Sequence, residues 1–89
     1  MHVLLPQYFA NRRKDVQSIA EALDRGGSVD WDLIATLAHN MHGSGASFGF
    51  PEITALGEEL ERAAREKHEG EARALLESLR AVVDCAQPG

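Results

Sequence analysis

The sequence predicts an all-α fold, an antiparallel up-down-up-down four-helix bundle, on three observations. Hydrophobic residues make up 44% of the chain but aromatics only 6%, and the abundance of Ala, Leu and Glu over β-branched residues favours helices over strands. Apolar residues recur at helical spacing in four separate stretches. The breakers between stretches are short, about three to five residues, which forces successive long helices to run antiparallel.

The first helix is expected over 4–25, with Leu5, Phe9, Val16, Ile19, Ala20 and Leu23 on one side and Pro6 where a first turn tolerates it. Gly26 and Gly27 end it. Ser28 and Asp30 are candidate N-caps for the second helix, with Val29 and Trp31 placed to pack at the turn. The second helix closes at Phe48-Gly49, a glycine there suiting a left-handed C-cap. Pro51 opens the third, with Glu52 favourable to the helix dipole in its first turn. Its stripe is Ile53, Leu56, Gly57, Leu60, Ala63 and Ala64, while Glu58, Glu59, Glu61, Arg62 and Arg65 look outward and Lys67-His68 stand near its end. Gly70 is expected to break it, and a fourth helix over 71–86 presents Ala72, Leu75, Leu76, Leu79, Val82 and Val83.

Eighty-nine residues, 1–89, are expected to form a single domain. A net charge of −5 argues against a nucleic-acid partner or an anionic membrane surface. The one basic cluster, Arg12-Arg13-Lys14, is expected to be a solvated helix face or a minor docking contact. Cys85 is the sole cysteine, so no internal disulfide can form and a cytoplasmic, reducing compartment is expected, with Cys85 as a small apolar residue of the last helix. No basic leader precedes an apolar run, and no segment reaches the ~18 apolar residues of a membrane span.

The chemistry concentrates in the second helix, over His39-Asn40-Met41-His42-Gly43-Ser44-Gly45-Ala46-Ser47-Phe48-Gly49. At roughly 100° per residue, His39 shares its face with Asp32, Ala35, Thr36, His42, Gly43 and Ala46, small side chains that leave one imidazole nearly bare. The opposite face carries Leu33, Ile34, Leu37, Met41, Gly45 and Phe48, a stripe expected to face the core and aim His39 at solvent. Ser44 falls about 140° from His39 on that geometry, toward the core and away from the chemistry. A glycine inside a helix costs roughly 0.5–1 kcal/mol relative to alanine. For Gly43 the reading is close approach of another protein to the imidazole, with helix packing as the alternative; for Gly45, on the core side, packing is favoured.

The run resembles the motif of histidine-containing phosphotransfer (HPt) domains, His-x-x-Lys-Gly followed by Ser, Gly or Ala, then small residues and often Phe-Gly. Here it reads His39-x-x-His42-Gly43-Ser44, then Gly45-Ala46-Ser47-Phe48-Gly49-Phe50. The similarity extends to the helix pattern on both sides. It implies a phosphoryl carrier of a two-component phosphorelay, not an enzyme by itself, with His39 as the phospho-accepting nucleophile and Gly43 as the residue that clears access. His42 stands where the family usually has lysine, which implies charge stabilisation. In chemotaxis-type members a glutamate of the third helix hydrogen-bonds the reactive imidazole, and ungapped alignment from Phe48-Gly49-Phe50 brings Glu61 to that position. The other reading of Glu61 is a solvated surface acid.

A neutral imidazole, with an ordinary pKa of about 6.5, is a competent nucleophile near neutral pH. Phosphoryl transfer also needs a metal and charge stabilisation, and the sequence carries no phosphate loop, nucleotide motif or acidic triad. Mg²⁺ is therefore expected on the partner, with no cofactor of the chain's own. The implied partners are a response-regulator receiver domain, a histidine kinase, or both. They would dock on Ala35, Thr36, His42, Gly43 and Ala46, rimmed by the first helix, and the chain is expected to be a monomer. From the residues alone two rivals stand. One is a metal site on His39 and His42, short of the three or four ligands zinc takes unless His2, His68, Glu58 or Glu61 converge. The other is a helical adaptor whose histidines are incidental.

Overall fold

In the computed structural model, which describes residues 5–25 and 28–86, the two-residue break at 49–50 sets the geometry of the whole site. The elements are α1 (Leu5–Leu23), α2 (Trp31–Phe48), α3 (Pro51–Arg65) and α4 (Glu69–Ala86), joined by 24–30, 49–50 and 66–68. The expectation of uniform three-to-five-residue breakers thus fails at two of three joints. Each helix packs on its sequence neighbours and α1 packs on α4, closing a four-helix ring. The expected all-α bundle is the fold found.

Asp30 caps α2, its Oδ1 accepting from the Leu33 N–H at 3.2 Å. At the other end Gly49 takes φ 80°, and the Phe50 N–H reaches back to the Gly45 carbonyl at 2.8 Å while Gly49 N–H reaches Ala46, satisfying carbonyls the helix leaves open. Pro51 follows at once as the first residue of α3. Phe50 drops under α1, stacking on Tyr8 at 5.6 Å and meeting Phe9 edge-on at 5.0 Å. That aromatic triad seals one end of the bundle, and Tyr8, absent from the expected stripe, is buried in it.

The third joint departs from expectation. Gly70 lies inside the first turn of α4, and the turn is made by Lys67, which takes φ 59°. Lys67 N–H bonds Ala64 O at 3.1 Å and His68 N–H bonds Ala63 O at 2.9 Å, the same closure that Gly49 makes for α2. The expected glycine terminators Gly26 and Gly27, together with His2, lie outside the described residues, as do the side chains of Leu5, Pro6, Phe48 and Cys85.

The core is most enclosed at Ile19, Ile34, Ala38, Met41, Ile53, Leu60, Ala63, Ala72 and Leu79, with Phe9, Val16, Leu23, Leu76 and Val83 around them. The α2 stripe is rotated from the expected one. Ala38 is fully buried, whereas Leu33 is 39% exposed. The reason is the closeness of α3. A Cβ built on Gly57 would stand 2.9 Å from the His42 backbone nitrogen and 3.0 Å from the Ala38 carbonyl oxygen. One built on Gly45 would stand 2.8 Å from the Thr54 nitrogen. Two glycines, one on each helix, therefore let α2 and α3 pack backbone to backbone, and the buried face of α2 turns toward that seam.

Candidate functional site

The close α2–α3 seam fixes what lies beside His39. With Gly57 against Ala38 and His42, the next turn of α3 carries Glu61 to the neighbouring turn of α2. His39 Nδ1 lies 3.2 Å from Glu61 Oε1. The His39 side chain is 67% exposed, but the Glu61 side chain is only 15% exposed. Glu61, for which a solvated acid and an imidazole partner were both open, thus sits half-buried with one oxygen within hydrogen-bonding distance of the imidazole.

Glu61 is itself held. Arg65, one turn further along α3, places Nη2 at 2.6 Å and Nε at 3.2 Å from Glu61 Oε2, so one carboxylate oxygen engages the guanidinium and the other faces the imidazole. The Arg65 hydrogen bond holds the Glu61 carboxyl below the usual carboxylate range; partial burial opposes this, and His39 adds to it. At neutral pH Glu61 is thus an ionised acceptor. An acceptor-only carboxylate requires Nδ1 of His39 to carry the proton, so the neutral ring has its lone pair on Nε2, which has no partner among the described residues. Arg65 was expected only as an outward-looking charge. The signal that could have found it is the Glu61-to-Arg65 spacing of four, which pairs opposite charges on one helix face.

The remaining expected residues fall as follows. His42 is half-buried, its ring centroid 6.5 Å from that of His39 and nearly perpendicular to it. Gly43 is exposed, and a Cβ built on it would meet nothing within 4 Å, so no neighbouring helix explains this glycine. Thr36 and Ala46 are exposed and Ala35 is half-buried. Beyond Ala46 an apolar groove of about 420 Å³ opens between the end of α2 and the start of α3, floored by Gly45, Pro51, Thr54 and Ala55.

On the α1 side of α2 the basic cluster is a solvated face, as expected, at two of its three residues. Arg13 and Lys14 are exposed, but the Arg12 side chain is only 13% exposed. It lies over the Tyr8 ring at 4.9 Å, pairs with Asp15 at 2.8 Å and donates to Ser44 Oγ at 2.6 Å. Ser44 thus ties α1 to α2, on the opposite side of the helix from His39. Burial pushes the Asp15 carboxyl above its ordinary range, against the pull of Arg12.

Among the described residues no group of three or more His, Cys, Asp and Glu gathers as a metal site, and no helix is long and apolar enough to cross a membrane. The family model described as Hpt domain matches residues 3–87, and the chain belongs to that family of histidine phosphotransfer domains of two-component signalling. No curated protein and no solved structure matches the chain.

Proposed function

We propose that this chain carries a phosphoryl group on Nε2 of His39 within a two-component phosphorelay. It accepts the group from a receiver aspartate or a histidine-kinase catalytic domain and donates it to a receiver. The observation that carries the reading is the His39–Glu61 contact, an exposed imidazole with Nδ1 3.2 Å from a carboxylate oxygen; an ionised carboxylate there favours the proton on Nδ1 and leaves Nε2 as the nucleophile. In the transfer step the Nε2 lone pair attacks phosphorus, the bond to the donor aspartate breaks, and its electron pair returns to the donor carboxylate. Nδ1 keeps its proton, and Glu61 offsets the positive charge that the N-phosphorylated ring acquires.

Gly43 and Ala46 leave room above the imidazole, and with Ala35, Thr36 and His42 they form the face on which a receiver docks, flanked by the apolar groove at the end of α2. His42 supplies positive charge near the phosphoryl group where the family uses lysine. The in-line geometry and Mg²⁺ come from the partner, which leaves this chain the part of a carrier and not of a catalyst; in this reading it works as a monomer in the cytoplasm.

Incubation with a phosphorylated receiver should label the parent with acid-labile, base-stable phosphate. His39→Gln should take up none while its helical circular dichroism and thermal midpoint stay near parental, since a 67% exposed side chain contributes little to the core. A folded His39→Gln protein that is labelled at the parental rate overturns the assignment.

A further inference from the structure

Glu61 is the one carboxylate in contact with His39 among the described residues, and two demands on it conflict. It must stay ionised and point one oxygen at Nδ1, so that Nε2 is the free nitrogen. A bare carboxylate beside an imidazole also favours the imidazolium, which has no lone pair and cannot accept a phosphoryl group. The structure holds a group suited to both demands. Arg65 engages Glu61 Oε2 through Nε and Nη2, fixing the carboxylate plane from one side and leaving Oε1 for the imidazole. It also neutralises part of the charge that would otherwise hold a second proton on the ring.

We infer that Arg65 is a positioning residue of the phosphoryl-transfer site, acting on His39 through Glu61. The inference rests on His39 being the acceptor. It concerns a residue that touches neither the imidazole nor the phosphoryl group. The other charged or titratable groups close by do not fill this role. Arg62, on the same helix, is committed to Glu66 at 3.4 Å and Glu71 at 2.9 Å, and His42, on α2, faces His39 with its ring edge to face. Glu58 lines the same shallow surface as Glu61 and Arg65 and makes no ion pair among the described residues. Among the described residues, the side chains that lower the Glu61 carboxyl are Arg65 and His39.

The test compares the pH dependence of phosphoryl acceptance in Arg65→Ala, Arg65→Lys and Glu61→Gln, using one phosphorylated receiver at fixed Mg²⁺. Loss of Arg65 exposes the imidazole to an uncompensated carboxylate, so the acid limb of acceptance should move to higher pH. Loss of the Glu61 charge should move it to lower pH. Each displacement should be up to about half a pH unit, the scale that partly exposed charges support. Arg65→Lys restores the charge but not the two-nitrogen grip, so it should recover the position of the acid limb without recovering the full rate.

Ring ¹⁵N resonances of His39 supply a second readout, independent of any partner. The parent should hold the Nδ1–H tautomer, and Arg65→Ala and Glu61→Gln should both lose part of that preference. A merely structural Arg65 would leave tautomer and acid limb unmoved, and that result, with the parent still labelled and His39→Gln still inert, overturns the inference while the relay reading stands. Labelling of His39→Gln overturns both.

Discussion

An imidazole stands beside His39 where the family usually has lysine. His42 sits one turn from His39, with ring centroids 6.5 Å apart, and its backbone is pinned against Gly57. A cationic side chain at this place offsets part of the phosphoryl charge. His42→Lys, with lysine protonated to about pH 10, should therefore accept at least as fast as the parent, and His42→Ala should slow acceptance modestly. Initial rates of acceptance from one phosphorylated receiver under matched Mg²⁺ make the comparison. Equal rates for all three proteins would reduce His42 to a surface histidine. At this scale the sequence is informative where spacing decides. The 3.6-residue period puts His39 outward, and the family resemblance points to Glu61. It is silent where a side chain chooses among partners: Arg12 and Arg65 read as solvated charges, and only the fold reveals that Ser44 and Glu61 take hold of them.

Three glycines of the α2–α3 hairpin look alike in sequence and differ in what surrounds them. Gly45 and Gly57 each face the backbone of the opposite helix at 2.8–2.9 Å from an added Cβ, while Gly43 faces open space. Gly57→Ala must push α2 and α3 apart. Overpacking of about 1–3 kcal/mol outweighs the roughly 1 kcal/mol that alanine gains in helix propensity, and the same displacement pulls Glu61 from His39. Its thermal midpoint and its acceptance rate should fall together. Gly43→Leu meets nothing, so stability should hold or rise, and transfer alone should fall as the side chain covers the approach to the imidazole. Thermal denaturation paired with labelling separates the two, and a Gly43→Leu protein that transfers normally would remove the access role. Periodicity could place the helices but not this seam. Ala38 is too small to weigh in a hydrophobic stripe, yet it is the residue α3 covers, and bulky Leu33 is left at the edge. The α3–α4 turn was hidden for a related reason. A left-handed residue is announced by glycine, and here lysine takes that conformation, so Gly70 drew an expectation that belonged to Lys67.

At the scale of the whole molecule, α1 is tied to its neighbours by polar groups as well as by its apolar face. Arg12 ties it to α2, and at its far end Arg73 of α4 donates to the Leu23 carbonyl at 3.0 Å and pairs with Asp24 at 2.9 Å, serving a C-terminus that has no basic residue in its own last turn. The two sides of α2 therefore carry carboxyl groups perturbed in opposite directions, Asp15 upward by burial at the α1 side and Glu61 downward by Arg65 at the α3 side. Linkage gives them opposite signs. A raised carboxyl binds its proton more tightly in the folded chain, so the contribution of Asp15 is present at low pH and is lost as pH rises through its folded value. A depressed carboxyl contributes above its unfolded value, and the contribution of Glu61 is lost as pH falls through its folded value. Between about pH 6 and pH 3, Asp15→Asn should make the acid loss of stability steeper than in the parent, and Glu61→Gln should make it shallower. Urea midpoints across that range read both slopes. Parallel shifts in the two variants would overturn the opposite signs. Opposite slopes would establish that acid withdraws the contribution of the carboxylate beside His39 while the contribution of the carboxyl at the α1 side grows.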